Sequence, residues 1–200
     1  WASLNAALVK AVRLAEGREA QPSAAVIDSQ SVKTREGGEA RGVDVYKQIS
    51  GRKRHLVVDT LGLLLLVVVH SAGIPDSTGG KQTLKVLFEQ IKKNVHNRWC
   101  RLKLIWADGG YEDIVPWVKQ HCGWVLEIVR RPPGTKGFVS LPRRWVVERT
   151  IAWLTRNRRL SKDYERKTPM SEATPALAAG ASVVYIASIR LLTKRLAAHQ

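Results

Sequence analysis

The run Leu63 to His70, LLLLVVVH, constrains the fold more than any other stretch of this chain. It is rich in β-branched residues and short, as a strand is. It is apolar at every successive position up to His70, so an extended chain there presents side chains that need cover on both faces. Just before it stands LVVD, with Thr60, Leu61 and Gly62 between. The pair reads as a hairpin: Leu56 to Asp59, a tight turn, then Leu63 to His70. A strand covered on both faces belongs to a sheet with packed layers on each side.

The rest of the chain supplies those layers. Ala2 to Leu14 carries a helical apolar pattern through Leu4, Ala7, Leu8, Val12 and Leu14. Gly17 to Ser23 reads as a linker punctuated by Pro22. AAVIDSQS is a β-rich run broken by Asp28, and Thr34 to Asp44, rich in glycine and charge, reads as a loop. Ser71 to Gly80 is a second loop. Lys81 to Lys93 is a helix through Leu84, Leu87, Phe88 and Ile91. LKLIWAD is a strand ending on Asp108. Glu112 to Gln120 is a short helix, Trp124 to Val129 a strand, and Arg130 to Pro142 a basic loop. Arg143 to Tyr164 reads as a basic helix, with apolar residues at Trp145, Val146, Ile151, Ala152, Trp153 and Leu154. A last helix runs from Ser171 to about Ala197. Its uncharged run holds Pro175 and Gly180 and stops at Arg190, short of the roughly 20 apolar residues a membrane span needs. It is read as a packing helix. The order predicts an α/β fold: a mixed five-stranded sheet, a three-stranded antiparallel meander plus two parallel strands, flanked by helices. Residues 1–23 are expected to close a helical N-terminal region and linker, and 24–200 to form one domain.

Lys and Arg number 33 against 17 Asp and Glu, a formal charge of +16. Such an excess implies a polyanionic partner, most commonly nucleic acid. The competing reading, attachment to a membrane surface, finds no signal peptide or basic amphipathic N-terminal anchor to support it. Cys100 and Cys122 lack the company that makes a zinc site or a disulfide framework, and read as thiols of a reducing cytosol. His121 beside Cys122 has no third orienting group and reads as a helix-end pair. The chain opens at Trp1 and its one methionine is Met170, from which a sequence cut from a longer product is expected.

Two aspartates stand where carboxylates are costly. Asp28 interrupts an apolar strand, and Asp108 ends another before two glycines. Each has an ordinary explanation, as a turn cap or an Asx motif. Catalytic and ligand groups of open sheets also gather at strand ends. Were the two strands neighbours, the carboxylates would lie about 5 Å apart, and like charges that close are relieved by a divalent cation. A third carboxylate from a following helix would complete an oxygen-only site suited to Mg²⁺. Two ions about 3.5–4 Å apart activate an attacking oxygen and stabilise a leaving one. An arginine-rich helix alongside would contact phosphates. The chemistry implied is phosphodiester hydrolysis or transesterification on a nucleic acid.

Four blocks, IDSQSVKT, GRKRHLVVDTLGLLL, IWADGGY and LPRRWVVERTIAWLTRNRRLSKDYE, occur in order and resemble those of bacterial insertion-sequence transposases. The resemblance is to the DDE class, within the insertion-sequence-four and -five superfamily and its five-like group, and runs from about Trp1 to Leu196. It implies a ribonuclease-H-like catalytic domain that cleaves transposon ends and joins them to target DNA. It implies two Mg²⁺ ions, replaceable by Mn²⁺, held by Asp28, Asp108 and Glu148. It further implies double-stranded DNA as partner, in terminal inverted repeats and target, a homodimer on that DNA, and a bacterial cytoplasmic, nucleoid-associated setting. The superfamily signature Tyr-x2-Arg-x3-Glu-x6-Lys is matched at Arg144 and Glu148. Leu141 stands in place of its tyrosine and Thr155 in place of its lysine. Arg156, Arg158 or Arg159 is the expected substitute for that lysine.

The expected DNA contacts are Arg52, Lys53, Arg54, Arg143, Arg144, Arg149, Arg156, Arg158, Arg159 and Lys162. Asp59 is read as a turn residue. Asp44, Asp76 and Asp113 are read as solvated or capping. Trp145 and Trp153 are read as packing residues of their helix rather than platforms for an extruded base. Two competing functions remain: a ribonuclease-H-like nuclease or resolvase without strand transfer, and a non-catalytic DNA-binding relic.

Overall fold

The computed structural model describes residues 1–34, 40–93, 99–130, 134, 141–164 and 179–199. Its centre is β3 (Ile49–Asp59). One edge of β3 pairs antiparallel with β1 (Ala24–Lys33), from Ala25 opposite Asp59 to Lys33 opposite Gly51. The other edge pairs first with β2 (Gly42–Asp44) and then with β4 (Leu64–Ser71). Beyond β1 the sheet turns parallel, through β5 (Leu104–Ala107) to β6 (Val125–Ile128). The antiparallel meander β1, β3, β4 followed by two parallel strands is the ribonuclease-H-like arrangement. The structure adds β2, a three-residue strand in a stretch that reads as a loop.

The turn between β3 and β4 is drawn tight by Asp59. Its Oδ1 accepts from the backbone N–H of Leu61 and Leu63, while Gly62 adopts φ +81°, the left-handed region. A bulge follows. Val57 pairs with Leu66 and Val58 with Leu64, leaving Leu65 as the extra residue.

Alternation sorts the strand residues into two cores. Ile27, Val57, Leu66 and Ile105 face Val9 and Val12 of α1 (Ala2–Ala15), Leu84 and Leu87 of α2 (Asp76–Lys92), and Val118 of α3 (Val115–Cys122). Val26, Leu56, Val58, Val67 and Val69 face Val147 and Leu154 of α4 (Pro142–Thr155) and Val184 of α5 (Ala179–Ala197). Each such side chain, fully buried, contributes about 1.5–3 kcal/mol, which is why so apolar a strand as β4, paired with β3 alone, is covered on both faces. Among the described residues no helix is long and apolar enough to cross a membrane.

Several boundaries differ from the sequence reading. β3 starts at Ile49, not Leu56, because the GRKRH segment pairs within the sheet and its charges are buried against partners. α2 starts at Asp76, inside the stretch read as a loop. There Gly79 lets the helix lie against the sheet, where a Cβ would stand 2.4 Å from His70 Nε2, and Gly80 lets it lie against Tyr111, whose ring a Cβ would approach to 2.4 Å. α4 ends at Thr155. Asn157 is extended, and its side chain accepts from Arg159 N–H to open a 3-10 turn, Arg158–Leu160. The loop expected over Arg130–Pro142 and the first turns of the last helix, 171–178, lie largely outside the described residues.

Candidate active site

β1 and β5 run parallel as direct neighbours, Val26 beside Trp106. Asp28 and Asp108 each lie two residues further on, so the two carboxylates meet just past the end of the β1–β5 pairing, where β5 stops at Ala107 while β1 runs on along β3 to Lys33. Each uses one oxygen locally. Asp28 Oδ1 accepts from Ser29 N–H at 2.7 Å. Asp108 Oδ1 accepts from Gly110 N–H at 2.9 Å and opens a 3-10 turn, Gly109–Ile114. The Asx geometry that explains Asp108 structurally therefore leaves Oδ2 for the site.

α4 brings the third carboxylate. Its buried stripe is Val147, Thr150 and Leu154, and Thr150 Oγ1 donates to Gly62 O at 2.8 Å. That docking turns Arg144 and Glu148, one helical turn apart, toward Asp28 and Asp108. Arg144 Nη2 lies 3.9 Å from Asp28 Oδ2, 3.5 Å from Asp108 Oδ2 and 3.3 Å from Glu148 Oε1. One nitrogen thus reaches all three carboxylates, which come from distant parts of the sequence.

Burial pushes the Asp28 carboxyl up to about 6, against 3.8 ordinarily; the Ser29 N–H opposes this, and the Asp108 charge adds to it. The donors are oxygens alone, acidic and crowded, which suits a hard divalent cation. As the side chains stand, no group of three His, Cys, Asp or Glu among the described residues is gathered closely enough to hold an ion. The arginine stands among these three instead.

Behind the carboxylates lies a polar layer that sequence reasoning missed. Asp76 is the first residue of α2, and its Oδ1 accepts from Ser29 Oγ at 2.9 Å and from Lys53 Nζ at 2.8 Å. Burial works to raise the Asp76 carboxyl, but the Lys53 and Ser29 hydrogen bonds hold it below the ordinary range. Lys53 also lies 3.3 Å from Asp44 Oδ2 and donates to Ile74 O. His55 Nδ1 and His70 Nε2 share a hydrogen bond at 2.7 Å. Tyr111 is buried beside them; burial, then the charges of Asp28, Asp76 and Asp108, hold its hydroxyl neutral. The signal in the sequence was the spacing Asp108-Gly-Gly-Tyr111, which returns the tyrosine beneath the aspartate.

The ten expected DNA contacts divide sharply. Arg52, Lys53 and Arg54 are not at the surface: they are 0%, 4% and 3% exposed. Arg52 pairs with Asp163 at 3.0 Å, and Arg54 donates to Leu160 O and Lys162 O. A central strand cannot present three consecutive cations to solvent, so the fold brings acids and carbonyls to them. Asp44, read as solvated or capping, is buried for the same reason, and its Oδ1 does cap the turn by accepting from Lys47 N–H. Arg143, Arg156, Arg158, Arg159 and Lys162 are exposed, Arg143 with its guanidinium over Trp106 and bonded to Glu127. Arg149 is half-buried, 4.6 Å from the rings of both Trp145 and Trp153, and donates to Leu61 O. Neither tryptophan is in the core. Trp145 is exposed, and Trp153 borders a cavity of about 530 Å³ between α4 and α5, on a face away from the carboxylates. Cys100 is exposed and Cys122 buried, both as free thiols.

No match was found among curated proteins. Residues 19–173, a span that includes β1, β5 and α4 with all three carboxylates, match the family described as the transposase DDE domain. By that match over most of its length, the chain belongs to the transposase DDE domain family.

Proposed function

We propose that residues 24–200 form the catalytic domain of a transposase of the insertion-sequence-four/five kind, acting on transposon ends and then on target DNA. One observation carries the reading: a single guanidinium nitrogen lies within 3.9 Å of carboxylate oxygens from Asp28, Asp108 and Glu148. In this reading Asp28 and Asp108 offer Oδ2 to divalent ions, Mg²⁺ or Mn²⁺, while Ser29 and Gly110 N–H groups fix each carboxylate through Oδ1. Glu148 closes the site from α4. When bound, two such ions supply Lewis-acid activation of the attacking oxygen and stabilisation of the leaving one. Tyr111, Asp76 and Lys53 hold the floor of the site rigid beneath the reacting phosphate. The exposed Arg143, Arg156, Arg158, Arg159 and Lys162 neutralise the DNA backbone to either side. A homodimer would bring two ends together.

The test is strand cleavage and joining on labelled DNA carrying the element's ends, with Mg²⁺ or Mn²⁺, beside Glu148→Gln. A joined product that needs metal and disappears in Glu148→Gln is the expected result. Cleavage without joining would replace transposase with nuclease. DNA binding without cleavage would leave a binding protein only.

A further inference from the structure

We propose that Arg144 is the resident counter-cation of the metal-free site, and that DNA phosphate draws it away to admit divalent ions. The inference rests on reading Asp28, Asp108 and Glu148 as the ion-holding set. The three contacts of Arg144 Nη2, at 3.3 to 3.9 Å, all exceed the 2.7–2.9 Å of a tight charge-assisted bond. The guanidinium is therefore shared among three carboxylates rather than locked in a bidentate pair with one. It stands where their fields converge, which is where a divalent ion would be drawn. Two cations in that space repel each other, so occupancy by one weakens the other.

The arginine is placed to leave. It sits one turn before Glu148 on a helix anchored by other residues, Val147, Thr150 and Leu154. Its side chain is 24% exposed and has rotatable bonds enough to swing outward without moving α4. A DNA phosphate offers it the bidentate geometry that the three carboxylates do not. Transfer of Arg144 from carboxylates to phosphate then couples two binding events. By linkage, DNA tightens metal binding and metal tightens DNA binding by the same factor. The chain would keep the charge of its carboxylates partly offset when free and load ions once DNA is present.

The experiment is Mn²⁺ binding by calorimetry to the intact chain, with and without a short duplex whose own Mn²⁺ uptake is subtracted. The variants are Arg144→Gln, Arg144→Lys and Asp28→Asn, each checked for native circular dichroism. Without DNA, Arg144→Gln is expected to bind Mn²⁺ about tenfold more tightly than the unaltered chain, with Arg144→Lys nearer the latter. DNA is expected to tighten the unaltered chain toward Arg144→Gln and to leave that variant little changed. Equal or weaker Mn²⁺ binding by Arg144→Gln, with binding still lost in Asp28→Asn, would overturn the role of Arg144 and leave the ion-holding set standing. Mn²⁺ binding untouched by Asp28→Asn would overturn the set, and the inference with it.

Discussion

Asp28 is held in a place that suits its neighbours better than itself. Its side chain is 16% exposed and shares the guanidinium of Arg144 with Asp108. Burial first, and the Asp108 charge after it, raise its carboxyl to about 6. The sign follows: the folded chain holds this proton more tightly than the unfolded chain. Protonation therefore stabilises the fold fully below the ordinary carboxylate range, and that contribution is lost as pH rises through about 6. At pH 7.5 the ionised group opposes folding. Asp28→Asn keeps an acceptor for Ser29 N–H and removes the charge. It should raise unfolding free energy by about 1–3 kcal/mol at pH 7.5 and by little at pH 4. Urea midpoints at the two pH values check this; an equal gain at both would show that the carboxylate is not under electrostatic stress. Mg²⁺ should likewise raise the melting temperature of Arg144→Gln, which lacks the competing cation, at pH 7.5 through binding to the folded state alone, and fail to raise that of Arg144→Gln combined with Asp28→Asn.

At the level of elements, β3 shows where sequence reasoning stops. Residues Leu56 to Asp59 were legible as strand because they are apolar. Arg52, Lys53 and Arg54 were not, because three adjacent cations read as a solvated, phosphate-facing run. Their burial depends on Asp44, Asp76, Asp163 and the Leu160 carbonyl, up to 111 residues away in sequence. No local pattern encodes such pairing. Asp28 and Asp108 were legible for the opposite reason: a carboxylate breaking an apolar strand is visible in the strand itself. Glu148 needed the likeness of its whole block, since an isolated acid on a basic helix is ordinarily a surface pair. The difference is measurable. Lys53→Met leaves Asp44 and Asp76 without their shared cation and should cost about 3–5 kcal/mol. Arg156→Ala, at an exposed position, should stay within about 0.5 kcal/mol of the unaltered chain. Similar losses at both sites would mean that β3 does not hold its cations as described.

For the molecule as a whole, the fold divides the described Lys and Arg, drawn from 33 in the chain, into two populations. One is internal: Arg13 with Asp59, Arg52 with Asp163, Lys53 with Asp44 and Asp76. These cations are matched within the chain and have no phosphate to gain. The other is external, and beyond α4 it includes Arg156, Arg158, Arg159 and Lys162, all exposed. Only the external set can displace counterions from DNA, so composition alone overstates the binding surface. Duplex affinity should fall steeply with salt, with log K against log salt sloping by about −0.9 per phosphate neutralised. Removing Arg156 and Arg158 together should flatten that slope by about two and weaken binding to any sequence. Lys53→Met, compared at conditions where it remains folded, should leave the slope unchanged. Titrating the three proteins with one fluorescent duplex at several salt concentrations reads both quantities. A slope that flattened equally for Lys53→Met would mean that β3 opens on DNA and yields its cations. A slope indifferent to Arg156 and Arg158 would move the DNA path away from the end of α4 and the 3-10 turn that follows it, and so away from the segment that continues directly from the Glu148 helix.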